Sequence, residues 1–166
     1  MKIQWVALLL WSVISLSAKA QTTGKLQLSL KQQTGEYHAP YTAAWIENER
    51  AGSVRSLLLW RDDPKWLKDI RRWWRKVGRK DAALVDAITS ATRVAGNHTQ
   101  TFSLNDDDQK PLAAGRYTLL IEVVREKGGR ELIRMPFELD GTDKNYNAKG
   151  STELGKINFS IQHKFN

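Results

Sequence analysis

The 166-residue chain contains no cysteine and only three histidines. The absence of cysteine excludes disulfide bonds, thiolate metal sites and cysteine nucleophiles. His38, His98 and His163 lack metal-ligand spacing, so we predict hydrogen-bonded or surface roles for them and no metal site. The sequence also has no Gly-x-Ser-x-Gly motif, and no pair of carboxylates stands out as catalytic, which argues against a hydrolase.

A long apolar run occurs only at the N-terminus, at Ile3–Leu16. Lys2 precedes the run and the small-residue ending Ser17–Ala20 follows it, as in a secretory signal peptide. The run is shorter than the about 20 residues that a membrane span needs, and an uncleaved anchor is the alternative interpretation. We therefore expect cleavage after residue 20, a mature chain that starts at Gln21, and a periplasmic location.

The chain is basic, with a formal net charge of +8 at neutral pH. It stays basic after export, because the leader contains only two of the basic residues, Lys2 and Lys19. Outside the cytoplasm, this charge favours phosphate-bearing ligands, anionic lipid or acidic partners rather than nucleic acid.

The mature sequence is dominated by short alternating segments, and the polar stretch Asp140–Gly155 predicts a loop. Because no βαβ rhythm is present, we predict a mainly β fold with one domain over residues 21–166. The segment Asp106–Thr118 resembles a hairpin of exported immunoglobulin-like modules, which favours an immunoglobulin-like antiparallel β-sandwich. The predicted strands are Lys25–Gln32, Thr42–Glu47, Val54–Trp60, His98–Leu104, Gly115–Glu126, Glu131–Leu139 and Lys156–Lys164.

A helical insertion is predicted at about residues 63–87. Asp63 is a good N-cap and Gly78 a plausible stop for a first helix, and a second helix runs from Asp81 to about Ala87. Apolar residues recur along the first helix at the spacing of a core face: Trp66, Ile70, Trp73 and Val77. Two interpretations follow: a helix packed on the sandwich with its charges in solvent, or a basic helix on an anionic membrane surface.

The segment Asp86–Thr92, Asp-Ala-Ile-Thr-Ser-Ala-Thr, resembles the covalent FMN attachment motif of flavin-binding subunits in the Rnf and Nqr redox complexes. That motif has Asp, two variable residues, Ser or Thr, a small residue, Ala, and a final Ser or Thr. The resemblance implies that an FMN transferase of the ApbE type joins the FMN phosphate to the hydroxyl of Thr92. It also implies that Asp86 and Thr89 support recognition.

Residues near this motif suit a flavin and its phosphate. Small side chains at Ser90 and Ala91 allow close approach of the backbone, and Arg93 follows directly. Arginines suit the phosphate and tryptophans the ring. The first helix brings several of both near the motif, and Arg72 and Trp73 are the predicted contacts; the other candidates are Arg71, Arg75, Trp66 and Trp74. The alternative interpretation of the motif is a helix end that runs into a loop of small residues.

A wider resemblance covers most of the mature chain. Its residues include Tyr37–Tyr41 with Trp45-Ile46, Leu58–Trp60, Lys65–Leu67, Arg72–Trp74, Ala91–Arg93, Gly115–Thr118, Glu122 and Arg125-Glu126. They are similar to a periplasmic family of unknown function that accompanies PepSY membrane proteins. The resemblance implies a role in flavin-based extracytoplasmic electron transfer, beside iron-uptake receptors.

These observations predict a periplasmic redox carrier with FMN attached at Thr92, supporting reductive iron uptake. Its expected partners are an ApbE-type FMN transferase and a PepSY-type membrane redox protein. The alternative is a cofactor-free accessory module that binds such a membrane protein or a receptor through its Trp- and Arg-rich helix.

Overall fold

The computed structural model describes residues 21–34, 38–50 and 52–164. Strands account for 54% and helical residues for 15%, which confirms the mainly β prediction. The predicted signal peptide lies outside the described residues, so its cleavage stays a prediction.

Within these ranges the strands form two sheets. The four-stranded sheet has the order β5-β1-β9-β8, from β1 (Gln21–Leu30), β5 (Gly96–Ser103), β8 (Lys144–Lys149) and β9 (Leu154–Lys164). The five-stranded sheet has the order β4-β3-β2-β6-β7, from β2 (Tyr41–Asn48), β3 (Ser53–Trp60), β4 (Thr89–Ser90), β6 (Gly115–Val124) and β7 (Arg130–Leu139). The neighbouring strands pair antiparallel, except that β4 runs parallel to β3.

The main core lies between the two sheets. Leu26, Leu28 and Leu30 alternate inward along β1, and they meet the inward residues of β6, such as Leu119 and Ile121. These side chains are at most 2% exposed, and full burial of each contributes about 2 kcal/mol. The period-two pattern of the sequence therefore determines which face of each sheet is covered.

The helical insertion covers the other face of the five-stranded sheet. It consists of a 3-10 helix (Pro64–Asp69), a short helix α1 (Arg71–Trp73), a π-helical turn (Trp74–Gly78) and helix α2 (Ala82–Ile88). A second apolar cluster joins the two layers: Leu67, Ile70, Trp73, Val77 and Val85 pack with Ala43, Trp45, Leu59 and Leu120. The order of layers is therefore helical segment, five-stranded sheet, four-stranded sheet.

The prediction of one continuous first helix is wrong, because the segment breaks at Ile70 (φ −76°, ψ 70°). The carboxylate of Glu122 on β6 accepts hydrogen bonds from the backbone N–H groups of Arg72 and Trp73, each at 3.0 Å. Glu122, which is distant in sequence, therefore caps the new helical turn that starts at Arg71. The π-helical turn ends at Gly78 as predicted. A side chain does not fit at this position, because a Cβ would lie 2.6 Å from the Trp74 ring.

Both predicted N-caps are confirmed. The side chain of Asp63 accepts from the N–H of Lys65, and that of Asp81 accepts from the N–H of Leu84, both at 2.9 Å. The loop prediction for residues 140–155 is wrong in part, because β8 occupies six of those residues and pairs with β9.

Candidate functional site

A cleft of about 770 Å³ opens at one end of the five-stranded sheet, beside the helical segment. Thr92 and three separate parts of the chain line the cleft. The three parts are the residues that lead into β2 (His38, Ala39, Tyr41), the start of the helical segment (Asp62, Asp63, Lys65, Trp66, Asp69, Arg71) and the β6–β7 hairpin (Val124–Arg130).

Glu122 connects the cleft to the core. Its side chain is completely buried on β6, and it pairs with Arg130 at 2.6 Å between Oε1 and Nη2. Together with the N–H groups of Arg72 and Trp73, these bonds satisfy the buried carboxylate. Glu122 therefore fixes the helical segment on one side of the cleft relative to Arg130 on the other.

The β6–β7 hairpin is held from behind by a buried ion pair. Arg125 Nε lies 2.9 Å from Glu153 Oε2, and both side chains are at most 3% exposed. Arg125 also donates to the carbonyl of His38, and Glu153 accepts from the N–H of Gly129 at 3.1 Å. The hairpin wall of the cleft is therefore tied to β9 and to the chain that leads into β2.

Glu131 reinforces the same region. Its buried carboxylate accepts four backbone N–H groups, those of residues 151–154, and the hydroxyl of Ser151. Burial alone raises the pKa of Glu131, but these hydrogen bonds outweigh it and lower the pKa to about 2. The carboxylate is thus ionised at neutral pH and holds the turn before β9.

The opposite wall of the cleft starts at Tyr41. Its phenol oxygen accepts from the N–H of Asp63 at 2.8 Å and donates to the carbonyl of the same residue. Partial burial raises the pKa of Tyr41 above its ordinary value, so the phenol is neutral. Next to it, Lys65 lies 5.2 Å from the partly exposed Trp66 ring, which brings an aromatic surface and a cation together.

The cleft carries charges of both signs. Cationic side chains on it include Lys65, Arg71 and Arg130, and carboxylates include Asp63 and Asp69. Lys65 pairs with Asp63 at 2.8 Å and Arg130 with Glu122, whereas Arg71 forms no ion pair among the described residues. Arg71 is therefore the lining cation best placed to meet an incoming anion.

The structure separates the predicted attachment motif into three parts. Asp86 is exposed on α2, away from the residues that line the cleft. Thr89 and Ser90 form β4, and the Thr89 hydroxyl donates to the carbonyl of Val85 at 2.6 Å. The carbonyl of Ser90 accepts from the N–H of Arg61 at 2.9 Å, so backbone pairing fixes the motif at the sheet edge.

Thr92 follows β4 directly and lines the cleft. Within the part of the chain that the structure describes, its side-chain hydroxyl makes no hydrogen bond, in contrast to the hydroxyl of Thr89. Ala91 precedes it and accepts from Arg93 Nη1 through its carbonyl at 3.1 Å. The Arg93 guanidinium lies 5.5 Å from the Trp60 ring and is not on the cleft.

Two predicted cofactor contacts are corrected by the structure. Trp73 has no exposed surface, because it packs in the apolar cluster between the helical segment and the sheet. Arg72 Nη2 pairs with Glu47 Oε2 at 2.6 Å, and neither residue lines the cleft. Trp66 and Arg71, which the sequence also offered as candidates, provide the aromatic and cationic surfaces of the cleft.

The residues present fit a phosphate-bearing planar ligand. A hydroxyl at Thr92, an aromatic face at Trp66 and a cation at Arg71 line one cleft, whose volume lies in the ~300–1,000 Å³ range of ligand pockets. Metal binding has no comparable support, since no group of three His, Asp or Glu residues that could hold a metal occurs in the described ranges.

Sequence reasoning gave no structural role to Glu122 and missed Arg130. A signal for Glu122 was present, because a single carboxylate interrupts the apolar run Leu119–Val124. A buried charge in a strand needs a partner, and that requirement points to a basic residue on an adjacent strand.

A family described as predicted periplasmic proteins, DUF2271, matches residues 23–156. The chain belongs to this family. The match covers the five-stranded sheet, the helical insertion and the residues that line the cleft, and it ends near the start of β9. No curated protein and no solved structure matches the chain. Among the described helices, none is long and apolar enough to cross a bilayer.

Proposed function

We propose that this DUF2271 protein is a periplasmic electron-transfer flavoprotein with FMN attached to Thr92 through a phosphoester. The observation that carries the proposal is the position of Thr92. The last residue of a sequence that resembles an FMN attachment motif lines the cleft, and its hydroxyl has no hydrogen-bond partner among the described residues. A covalent cofactor needs an accessible acceptor beside a space that receives its ring, and both occur here.

The attached FMN would supply the electron-transfer chemistry, and the chain would supply attachment, orientation and charge. Arg71 adds positive charge that favours a phosphate and an anionic ring in the cleft. Trp66 offers a face for stacking or for exclusion of water from one side of the ring. The network of Glu122 and Arg130 keeps the two walls at a fixed separation.

The unactivated hydroxyl of threonine is a poor nucleophile, so attachment requires a separate transferase. The transferase would break the phosphoanhydride bond of a flavin dinucleotide donor, so that FMN passes to the Thr92 oxygen and a nucleoside monophosphate takes the proton and leaves. We propose an ApbE-type FMN transferase for this step, a PepSY-type membrane protein as redox partner, and reductive iron uptake as the process. We also propose that the signal peptide is cleaved after residue 20 and that the β-sandwich is immunoglobulin-like.

The test is intact mass of the exported chain, purified from a periplasm that also contains an FMN transferase. We expect added mass equal to FMN minus water, together with flavin absorbance. Thr92→Ala removes both signals, whereas Thr92→Ser, which keeps the acceptor hydroxyl, retains them. Thr89→Ala is a second control, because its hydroxyl is already bonded to Val85. Unmodified protein beside a flavinylated control substrate would refute the proposal.

The alternative is a cofactor-free accessory module that contacts a membrane protein or receptor through the helical segment. The observation that favours it is the number of basic side chains that this segment exposes. Because Trp73 is buried, such contacts would depend on charge, for example at Arg75, and not on that tryptophan. Colourless protein whose partner binding is lost in Arg75→Glu supports this alternative.

A further inference from the structure

The outer side of the helical segment forms a basic ridge. It consists of six exposed side chains within thirteen residues: Lys68, Arg71, Arg75, Lys76, Arg79 and Lys80. Four of them, Lys68, Arg71, Arg75 and Arg79, recur at intervals of three and four residues. Arg71, Arg75 and Arg79 follow the break at Ile70 at intervals of four residues, which places these three along one side of the helical turns.

The ridge is held as a fixed array. Ile70, Trp73 and Val77 alternate with its basic residues and are buried against the five-stranded sheet. The N–H groups of Arg72 and Trp73 are bonded to Glu122, and Arg75 Nε donates to the carbonyl of Arg71 at 3.2 Å. The apolar side of the segment is thus used in the fold, and the basic side faces solvent.

At least four of the six cations of the ridge are not paired with a carboxylate in the part of the chain that the structure describes. In the described ranges, Lys68, Arg71, Arg75 and Arg79 form no ion pair, whereas Arg72 between them pairs with Glu47. Two carboxylates in or next to this stretch of sequence are not paired with these four cations: Asp69 lines the cleft as Arg71 does, and Asp81 caps α2 through the N–H of Leu84. Clustered like charges repel one another, so an external anion lowers the energy of this surface.

We propose that the basic ridge binds the anionic headgroups of a phospholipid membrane. Four to eight clustered Lys and Arg residues on a helical surface are the pattern that anionic lipid attracts, and each contributes about fivefold to binding. A row of cations on the outside of the fold matches a plane of many phosphates better than one small anion. The export expected for this chain brings it to the compartment where such a surface is available.

Membrane binding through the ridge also orients the cleft. Arg71 belongs to both, because it is exposed on the ridge and lines the cleft. A chain bound by its ridge therefore holds the cleft mouth close to the headgroups, where a ligand in the cleft can meet a membrane protein. The lipid binding itself does not depend on FMN, so it stands or falls separately from the proposed function.

The test is sedimentation of the exported chain with vesicles of phosphatidylglycerol and phosphatidylcholine, and with vesicles of phosphatidylcholine alone, in low salt. We expect binding only to the anionic vesicles, and its loss in 0.5 M salt through screening. Arg75→Gln combined with Arg79→Gln weakens the partition constant about 25-fold, from about fivefold for each cation.

The matched control is Lys25→Gln combined with Lys149→Gln, which removes the same charge from the opposite outer face. Both lysines are exposed on the four-stranded sheet, and their strands lie in the layer farthest from the ridge. The control pair keeps binding within about twofold, and circular dichroism checks the fold of all variants.

Three results would overturn the inference. One is equal binding to neutral and anionic vesicles. Another is that the ridge pair and the control pair of substitutions weaken vesicle binding equally, which shows that binding depends on net charge alone. The third is no binding to pure lipid, together with ridge-dependent binding to membranes that contain proteins. That result assigns the ridge to an acidic protein partner instead.

Discussion

Substitution of Glu131 by Gln tests whether a buried carboxylate anchors the hairpin wall of the cleft. The pKa of Glu131 falls from 4.5 to about 2 because the ionised form accepts the N–H groups of residues 151–154. This lowering of the pKa corresponds to about 3 kcal/mol of stability at neutral pH. Glutamine keeps the shape but removes the charge, so Glu131→Gln loses about that amount.

The same shift fixes the sign of the pH dependence. The folded-state pKa lies below the unfolded-state pKa, so the unfolded chain takes up this proton first as the pH falls. The stabilisation is complete above about pH 5, and it is lost as the pH falls from 4.5 towards 2. Native protein therefore loses stability in this window, and Glu131→Gln loses about 3 kcal/mol less.

Urea unfolding at pH 7 and pH 2 measures both effects. Glu138→Gln is the matched control, because Glu138 lies on the same strand but is half exposed, and its pair with Lys144 contributes little. The control stays within about 0.5 kcal/mol of the native protein at pH 7. Equal stability of Glu131→Gln and Glu138→Gln, with parallel pH dependence, would refute the reasoning.

Two further substitutions test how the helical segment is attached. Trp73→Ala lowers the free energy of unfolding by about 3–5 kcal/mol in urea, because the ring is fully buried. Trp66→Ala at the cleft lowers it by less than half of that amount. Similar losses of stability in the two variants would contradict the placement of Trp73. Glu122→Gln breaks a buried ion pair with Arg130 and costs about 3–5 kcal/mol. Hydrogen exchange then accelerates first at the N–H groups of Arg72 and Trp73; unchanged protection there would show that Glu122 does not hold the segment.

The strand pattern was predictable wherever one face of a strand is buried. Leu26, Leu28 and Leu30 repeat at period two because one side of β1 meets the core, and that period is visible in the sequence. β8 was missed because it has only Tyr146 and Ala148 at inward positions, inside a polar stretch. As an edge strand, β8 is specified mainly by its pairing with β9, a contact that the local sequence does not encode.

The helical insertion shows the same limit. Its caps at Asp63 and Asp81 and its stop at Gly78 depend on neighbours within a few residues, and these predictions were correct. The break at Ile70 depends on Glu122, which lies more than fifty residues further along the chain. A local periodicity cannot show such a partner.

The candidate site was predictable only at Thr92, whose assignment came from the resemblance of a short motif. Periodicity showed that Trp66 and Trp73 share a helical side, but not that Trp73 is covered while Trp66 reaches the cleft. The cleft itself joins the region before β2, the helical segment and the β6–β7 hairpin. Tertiary pairing brings these regions together, so no single stretch of sequence contains the site.

The central claim, FMN on Thr92, is tested most directly by peptide mapping of the exported chain after co-production with an FMN transferase. Trypsin cleavage after Lys80 and Arg93 yields the peptide Asp81–Arg93, which contains Thr89, Ser90 and Thr92. The account predicts that this peptide carries the mass of FMN minus water, and that fragment ions place it on Thr92. An unmodified Asp81–Arg93 peptide, in cells that flavinylate a control substrate, would contradict it.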